Sequence, residues 1–370
     1  MKIAFVGPFP PFRGGIAQFT VRLYETLSEY YPVHTFVPVS FSRLYPSFLF
    51  PGTSQMEPPG NDLHFKVNRL LDSCNPVRWL LARHFFRKNS FDWIIVQWWH
   101  PFFAPVLLNS IPGNIKTAAI CHNVLPHENF LLSRLLTSRF IKRMDLLVTH
   151  SASDTDVVES MIQSSDTLKL YLPLYDQYLN MDLDGCYARQ ELGYSADAQV
   201  VLFFGLIRPY KGLMDLIEAM KHLPRNVSLL IVGECYSGSS EILEAITTEE
   251  LSARVRWIDK FVPDNQVAKY FLASDVVALP YRHATQSAVA QIALAFRRVL
   301  VLTDTGGLSE LVKQGSTGFL AEPCSPLSIA RAILSAIELS NDPNLSNRID
   351  EKASEFSWKA YARRLMDRLK

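Results

Sequence analysis

Residues 199–220 read QVVLFFGLIRPYKGLMDLIEAM. The segment begins with an apolar run, turns at a glycine and a proline, and continues into an amphipathic stretch of helix length. This order of strand, turn and helix is typical of an α/β protein, in which helices cover a parallel sheet. The segment therefore predicts a buried strand that is followed at once by a helix.

The same alternation continues in both directions along the chain. Towards the N-terminus, the predicted strands are residues 2–7, 33–39, 93–98, 117–122 and 146–151. From the opening segment onwards, they are residues 199–205, 228–234, 254–259, 275–280, 299–304 and 318–322. Helices are predicted between several strands, notably over residues 15–29 and 131–143. We therefore predict an α/β fold with two Rossmann-like, doubly wound parallel sheets.

The chain has 370 residues, which suggests two domains at a prior of ~150 residues each. Residues 171–185, YLPLYDQYLNMDLDG, show neither period and carry proline and glycine, so we place the linker there. The predicted domains are residues 1–175 and 176–355, with a C-terminal helix over residues 356–370 that packs back on the first. Residues 51–62, PGTSQMEPPGND, are predicted to form a loop.

The composition excludes several classes of protein. Lys and Arg total 37 against 36 Asp and Glu, so we expect no nucleic-acid partner. The five cysteines are widely spaced and form no CxxC pattern, which predicts neither a disulfide framework nor a zinc site. The N-terminal apolar run is too short for a secretory signal, and no run reaches the ~18 apolar residues of a membrane span. We expect a cytoplasmic protein.

Two segments combine Leu, Phe or Trp with Arg and Lys: VRWLLARHFFRKN at residues 77–89 and LLSRLLTSRFIKR at residues 131–143. Basic amphipathic helices can lie on anionic lipid. A helix that buries its apolar stripe in the core shows the same pattern. We therefore hypothesise a peripheral contact with the cytoplasmic face of a membrane. The alternative is that both segments are helices that pack their apolar side chains in the protein core.

Ligands of open parallel sheets bind beyond the carboxyl ends of the strands. After the first strand, PFPPFRGGIAQF places Gly14 and Gly15 at the start of a helix. Free N–H groups and the helix dipole suit an anion or a sugar hydroxyl there, although a plain turn into a helix also carries glycines. The GxGxxG pattern is absent, which argues against a dinucleotide-binding domain.

Two cations follow the strand of the opening segment. Arg208 and Lys211 stand in RPYKG, on the turn that leads into the helix. Two cations beside a helix start suit a diphosphate, because they neutralise its oxygens and the charge that grows on a leaving group. Surface charge in contact with water is the alternative, and the pairing of the cations favours the diphosphate.

Small and polar residues follow two further strands. In PYRHATQSAVAQ, Gln286 and Ser287 precede a helix, where an N-cap and a phosphate site use the same groups. In TDTGGLSELV, Thr305, Gly306 and Gly307 lie between a strand and a helix. Paired glycines permit close approach of the backbone to a ligand, although a tight turn needs them too.

These motifs occur in the order of a known family: Gly14 and Gly15, then CHNVLPHE with His122 and Asn123, then RPYKG, then TDTGGLSELV. The chain resembles the retaining glycosyltransferases of family 4, within the glycosyl transferases of group 1, over nearly its whole length. The resemblance implies the GT-B fold, with two domains that face each other across a cleft. The first domain would bind the acceptor and the second the nucleotide sugar.

The resemblance also implies roles for individual residues. Arg208 and Lys211 would grip the donor diphosphate and His122 would contact the transferred sugar, which makes these three the predicted catalytic residues. Gly14 and Gly15 would approach the donor from the acceptor side. The other implied substrate contacts are Asn123, Glu234, Phe261, Gln286, Ser287, Gln291, Thr305, Gly306 and Gly307.

The sequence departs from the family pattern at two places. The family usually carries two glutamates eight residues apart, the second of which reaches the ribose, but His283 or Ala284 and Gln291 or Ile292 stand there. Gln291 can still bind a hydroxyl, whereas Ile292 cannot. Residues 297–299, Arg-Arg-Val, replace the usual Gly-x-Pro.

The predicted reaction moves a sugar from a UDP or GDP sugar to a glycan or lipid-linked acceptor with retention of configuration, in polysaccharide or cell-envelope synthesis. No cofactor and no metal are expected, because cationic side chains serve the phosphates. The D-x-D tripeptides at residues 154–156 and 182–184 are attributed to a helix start and to the linker. The alternatives are a GT-B sugar-nucleotide epimerase and a silent relative that binds a nucleotide sugar without turnover.

Overall fold

A computed structural model describes residues 1–12, 14–45, 63–125, 132–162, 166–179, 183–235, 238–247 and 251–370. The loop predicted over residues 51–62 lies outside the described residues. Packing divides the chain into two compact units, Met1–Tyr171 together with Trp358–Lys370, and Leu172–Ser357. The first unit thus ends at Tyr171, whereas the sequence pattern places the boundary after residue 175.

The first unit is built on one parallel sheet. Its strands are β1 (Lys2–Val6), β2 (Thr35–Arg43), β3 (Asn68–Asp72), β4 (Trp93–Trp98), β5 (Lys116–Cys121), β6 (Leu146–Thr149) and β7 (Asp166–Lys169). Its first five helices are α1 (Gly15–Tyr30), α2 (Pro76–Asn89), α3 (Ala104–Ser110), α4 (Ser133–Ile141) and α5 (Ala152–Met161). The strand order is β3-β2-β1-β4-β5-β6-β7.

The second unit repeats this architecture. Its strands are β8 (Gln199–Phe204), β9 (Val227–Val232), β10 (Val255–Ile258), β11 (Val276–Leu279), β12 (Val299–Thr303) and β13 (Gly318–Ala321). Its helices are α6 (Gly185–Glu191), α7 (Leu213–Met220), α8 (Ser239–Ile246), α9 (Asp264–Ala273), α10 (Ala288–Ala295), α11 (Pro326–Ser340) and α12 (Leu345–Ser354). The strands are parallel, in the order β10-β9-β8-β11-β12-β13.

Every predicted strand is present, and the prediction of two Rossmann-like parallel sheets is confirmed. β4 and β12 are buried at every residue, because helices cover both faces of such a sheet. The sequence pattern did not predict β3 and β7, which lie at the two edges of the first sheet. The predicted linker, residues 171–185, contains a 3-10 turn, Asp176–Leu179, and the first residue of α6.

The last helix, α13 (Trp358–Leu369), belongs to the first unit. The rings of Trp358 and Tyr361 lie 5.3 and 5.7 Å from the ring of Phe19 on α1. Trp93, at the start of β4, donates its indole N–H to the carbonyl of Leu369 at 2.8 Å. The C-terminal helix therefore supplies part of the core of the first unit.

Among the helices of the described ranges, none combines the length and the apolar character that a membrane crossing requires.

Candidate functional site

The carboxyl ends of three neighbouring strands meet in the second unit. β8, β11 and β12 lie side by side, so the segments that follow them, residues 205–211, 280–287 and 304–307, share one edge of the sheet. The N–H of Arg282 donates to the carbonyl of Tyr210 at 2.7 Å, which joins the first two segments. This edge brings together most of the residues predicted to bind the donor.

Arg208 precedes a short 3-10 turn, Pro209–Lys211, that follows β8, and Lys211 is the last residue of this turn. The Lys211 ammonium lies 5.5 Å from the centre of the Tyr281 ring, on the neighbouring segment. Burial of the ammonium and the nearby cation of Arg208 lower the pKa of Lys211 to about 8. The two cations thus repel each other in a site where water screens them poorly, and a bound anion would relieve the repulsion.

Glycine lets the three segments approach one another. Gly212 has a φ of 65°, and a Cβ built on it would lie under 3.0 Å from the carbonyl oxygen of Pro280. Gly306 has a φ of 51°, and its Cβ would overlap the carbonyl oxygen of Ala284 in the same way. Both positions need a left-handed backbone and leave no room for a side chain, so each requires glycine on two grounds. Gly307, beside them, is buried.

A fork-shaped ion pair ties the same loops to α7. Nε and Nη2 of Arg282 donate to the two carboxylate oxygens of Asp215, each at 2.8 Å. Such paired bonds fix direction as well as distance. Asp215 is in the first turn of α7, where the helix dipole also favours an acid. Neither residue was predicted from the sequence, because the partners are distant along the chain.

Unpartnered polar groups surround the start of α10. Ser287 caps the helix, and its hydroxyl accepts from the N–H of Ala290 at 3.3 Å. The hydroxyl of Thr285, the amide nitrogen of Gln286 and both polar atoms of Gln291 are buried without a hydrogen-bond partner among the described residues. Gln291 is 0% exposed. Because buried polar groups normally have partners, these atoms have capacity for a ligand or for water.

Three further predicted residues lie along the same edge of the sheet. Glu234 follows β9, and its carbonyl accepts from the N–H of Ile207 at 2.8 Å, just beyond β8. Phe261 follows β10, the edge strand, and is half-buried. Thr305 follows β12 and donates its hydroxyl to the carbonyl of Arg282 at 3.5 Å. The predicted donor contacts therefore extend along the sheet from β10 to β12.

The other predicted residues are in the first unit, after β1 and β5. Gly14 precedes α1 with a φ of 110°, and both Gly14 and Gly15 are exposed. His122 and Asn123 follow β5 and are partly exposed. Nε2 of His122 lies 2.7 Å from Oε1 of Gln97 on β4. Gln97 was not predicted, although one polar residue in the buried run WIIVQW is a signal for it.

The surroundings of His122 keep its imidazole neutral. Its ring lies 4.7 Å from the ring of Phe19 and 5.5 Å from that of His150. Burial lowers the pKa of His122 well below 6.5, and His150 lowers it further. Burial also lowers the pKa of His150 to about 4, although its hydrogen bond to the carbonyl of Leu170 opposes this. At pH 7 the His122 ring therefore has one N–H donor and one lone pair.

One acid of each D-x-D tripeptide serves a helix start. Asp154 is in the first turn of α5 and accepts from the hydroxyl of Ser151 at 2.9 Å. Asp184 caps α6 by accepting from the N–H of Cys186 at 3.2 Å, and Asp182 lies outside the described residues. Within the described ranges, no group of three or more His, Cys, Asp or Glu could hold a metal ion.

The two cations, the glycines of the close approaches and α10 all lie in one stretch of the second unit. Residues 188–356 match the family model of the glycosyl transferases group 1. This match supports the family resemblance over the region that carries the cations. The finer assignment to the retaining family 4 stays a prediction.

Curated relatives share part of their length with this chain. The D-inositol 3-phosphate glycosyltransferase of Corynebacterium efficiens is 30% identical over 231 residues, which are 59% of this chain and 52% of that protein. The lipopolysaccharide 1,2-N-acetylglucosaminetransferase of Salmonella typhimurium is 30% identical over 200 residues, which are 49% of this chain and 51% of that protein. The chain thus spans about half the length of the curated relatives it matches.

Solved structures resemble the chain over its full length. The crystal structure of Anabaena Alr3699/HepE in complex with UDP-glucose has a TM-score of 0.75 and 20% identity, and the match covers 100% of this chain and 99% of that chain. At this identity the likeness shows the fold, which is the GT-B type with two Rossmann-like parallel-sheet domains. The predicted fold class is therefore confirmed.

Proposed function

We propose that this chain is a glycosyltransferase that moves a sugar from a UDP or GDP sugar to a glycan or lipid-linked acceptor with retention of configuration. The proposal rests on Arg208 and Lys211 at the carboxyl edge of the second sheet, within the region that matches the glycosyl transferases group 1. The relative named for lipopolysaccharide supports a glycan acceptor. A structural neighbour in complex with UDP-glucose supports a UDP-sugar donor.

The donor diphosphate would lie against the two cations. Negative charge grows on the nucleotide diphosphate as its bond to the sugar breaks, and preorganised cations and helix N–H groups stabilise that charge. Without an anion, burial and Arg208 lower the pKa of Lys211, whereas a diphosphate between the two cations would attract both and offset their repulsion. The cations perform the task of a metal ion, so we propose a reaction without metal or cofactor.

Gln291 is proposed to bind the ribose of the nucleotide. It stands within one residue of the position where the family usually has its second glutamate, and its buried amide has no partner among the described residues. An amide both donates and accepts, so it matches a hydroxyl. The remaining proposed contacts to the phosphates and nucleoside are Gln286, Ser287, Thr305, Gly306, Gly307, Glu234 and Phe261.

The first unit is proposed to bind the acceptor and to contact the transferred sugar through His122 and Asn123. The His122 imidazole is neutral because burial lowers its pKa. It can therefore form a hydrogen bond to a sugar hydroxyl without placing a positive charge beside the sugar. Gly14 and Gly15 have no side chains that would shield the start of α1 from a ligand. No covalent nucleophile is proposed, and departure and attack would take place on the same face of the sugar.

Thermal stabilisation followed by turnover tests this function. UDP or GDP is expected to raise the melting temperature, because a ligand at 100 times its Kd adds about 2.7 kcal/mol of stability. UDP, GDP and ADP sugars are then screened with glycan and lipid-linked acceptors for release of free nucleotide. Stabilisation without release would favour the silent relative, and an altered sugar nucleotide would indicate the epimerase. Absence of any stabilisation would contradict the proposal.

We also propose that the first unit meets the cytoplasmic face of an anionic membrane through α2 and α4. Val77, Leu80 and Leu81 on α2 are 65%, 67% and 58% exposed, and Leu135 on α4 is 46% exposed. Both helices pack against α3, and neither contains Asp or Glu. Their basic residues are Arg78, Arg83, Arg87, Lys88, Arg134 and Arg139. Exposed leucines beside cations suit the apolar and anionic layers of a lipid surface.

Removing two exposed leucines should weaken this contact. The double variant Leu80→Ser, Leu81→Ser is expected to bind anionic phosphatidylglycerol vesicles about tenfold or more weakly in co-sedimentation at low salt, because two apolar side chains leave the lipid. The matched control is Leu243→Ser with Leu327→Ser, which removes two exposed leucines of the second unit. Wild-type protein that stays in the supernatant, or equal losses in both variants, would end the proposal.

A further inference from the structure

Gln97 is a buried polar residue whose side chain reaches His122. It lies on β4, is 1% exposed, and places Oε1 2.7 Å from Nε2 of His122. The parallel register of β4 and β5 brings the two residues together, because Trp98 pairs with Cys121 and the N–H of His122 donates to the carbonyl of Trp98 at 2.8 Å. The pairing of β4 and β5 therefore fixes the backbone positions of both residues.

A glycine on the neighbouring strand leaves room for the Gln97 side chain. A Cβ built on Gly7, directly after β1, would lie 2.5 Å from Cγ of Gln97 and 3.2 Å from the methyl group of Thr20. β1 and β4 are paired in the sheet, so neither backbone can move away freely. A side chain at position 7 would therefore push Gln97 from its place beside His122.

The hydrogen bond decides which nitrogen of His122 carries the proton. In a neutral imidazole one nitrogen donates and the other accepts. When Oε1 of Gln97 accepts, the proton is on Nε2 and the lone pair is on Nδ1, which makes no hydrogen bond within the described ranges. The reversed amide would place the proton on Nδ1 instead.

The neighbourhood favours the orientation with Oε1 towards His122. The ring of His150 lies 5.5 Å from that of His122, and its Nδ1 donates to the carbonyl of Leu170 at 3.0 Å. Nε2 of His150 is therefore an acceptor, and it is buried without a partner in the described part of the chain, as is the amide nitrogen of Gln97. With Oε1 towards His122, the surroundings of His122 bury one unpaired donor and one unpaired acceptor, whereas the reversed amide would bury two unpaired acceptors.

We propose that Gln97 is a positioning residue that holds His122 in the Nε2–H tautomer, so that the Nδ1 lone pair accepts a hydrogen bond from a hydroxyl of the bound sugar. This inference rests on the proposed contact between His122 and the transferred sugar. Gln97 acts through His122 alone. The arrangement selects a sugar hydroxyl that donates its hydrogen to Nδ1 of His122. A sugar that lacks this hydroxyl would leave the Nδ1 lone pair without a donor.

The tautomer is measured by two-bond 1H–15N NMR correlations on unliganded protein labelled with 15N-histidine, with the His122 signal assigned by its loss in His122→Asn. Wild type is expected to show the Nε2–H form at pH 7. Gln97→Met removes the acceptor but keeps a side chain of similar length. We therefore expect a mixture of the Nε2–H and Nδ1–H forms. We also expect kcat to fall by up to about tenfold, at a nearly unchanged KM. Gln199→Met, in the second unit, is the matched control and should change neither readout.

Two more variants separate the hydrogen bond from packing. Gln97→Glu keeps an acceptor and should keep the proton on Nε2. Gly7→Ala displaces Gln97 and should resemble Gln97→Met in its tautomer. A wild-type Nδ1–H form, or an unchanged tautomer in Gln97→Met, would overturn the proposal. The spectra are recorded without substrate, so they stand whether or not sugar transfer is found.

Discussion

Replacing Arg208 or Lys211 by Ala is expected to lower kcat/KM for the nucleotide sugar at least about a hundredfold. Each change removes a preorganised cation from the place where the leaving diphosphate gains charge, and such a contact is stronger in the transition state than in the ground state. Stabilisation by UDP or GDP should fall in parallel. Nucleotide release measures the first effect, and melting curves with added nucleotide measure the second.

A lysine of the same unit provides the control. Lys221 forms an exposed ion pair with Glu218 at 2.6 Å, and an exposed pair contributes little to stability. Lys221→Ala should therefore keep wild-type rates and wild-type melting curves. Wild-type rates for both Arg208→Ala and Lys211→Ala would refute the diphosphate site.

The pH profile of the wild type carries a second check on Lys211. Its pKa is lowered to about 8 by burial and by Arg208, so the free protein loses this cation as the pH rises through about 8. Since kcat/KM reports groups of the free enzyme, it should be constant below that pH and fall above it. The same fall should be missing from the residual activity of Lys211→Ala.

Gly212→Ala is expected to destabilise the second unit by about 3 kcal/mol or more. A Cβ at this position would lie under 3.0 Å from the carbonyl oxygen of Pro280, and the φ of 65° is itself unfavourable for alanine. The loop that carries Lys211 and the loop after β11 would have to separate. Urea unfolding measures the loss of stability, and nucleotide release should fall because the cations move.

Two glycines without close neighbours separate steric overlap from backbone strain. Gly193 and Gly315 have φ values of 74° and 71°, and a Cβ built on either would meet nothing within 4 Å among the described residues. Gly193→Ala and Gly315→Ala should therefore cost about 1 kcal/mol each, from the left-handed backbone alone. If Gly212→Ala costs no more than these, the close approach of its loop to Pro280 is wrong.

The two strands that the sequence pattern did not predict, β3 and β7, are the edge strands of the first sheet, whereas β10 and β13, the edge strands of the second sheet, were predicted. β4 and β12 are buried at every residue, so they appear as continuous runs. β3 (NRLLD) and β7 (DTLK) lie at the sheet edges and are partly exposed. They therefore lack the apolar run on which the prediction depends, and only their pairing with β2 and β6 makes them strands.

The residues of the candidate site also differ in how far the sequence predicts them. Arg208, Lys211 and Gly306 stand in local patterns of strand, turn and helix, which indicate the segments at a carboxyl edge. The bond between Gln97 and His122 joins residues on separate strands, and no local pattern contains both partners. The polar residue in WIIVQW shows only that Gln97 needs a partner, because a buried amide rarely lacks one.

The sequence by itself determined the alternation of strands and helices, the turn that carries the two cations, and the glycines that open the loops. These properties depend on the hydrophobic period and on turn chemistry within short segments. Only the tertiary structure decided that β8, β11 and β12 are neighbours, that Gly212 lies against Pro280, and that Gln291 is buried without a partner in the described part of the chain. Strand order and burial depend on contacts between distant segments, and the sequence of one segment does not determine which other segment it contacts.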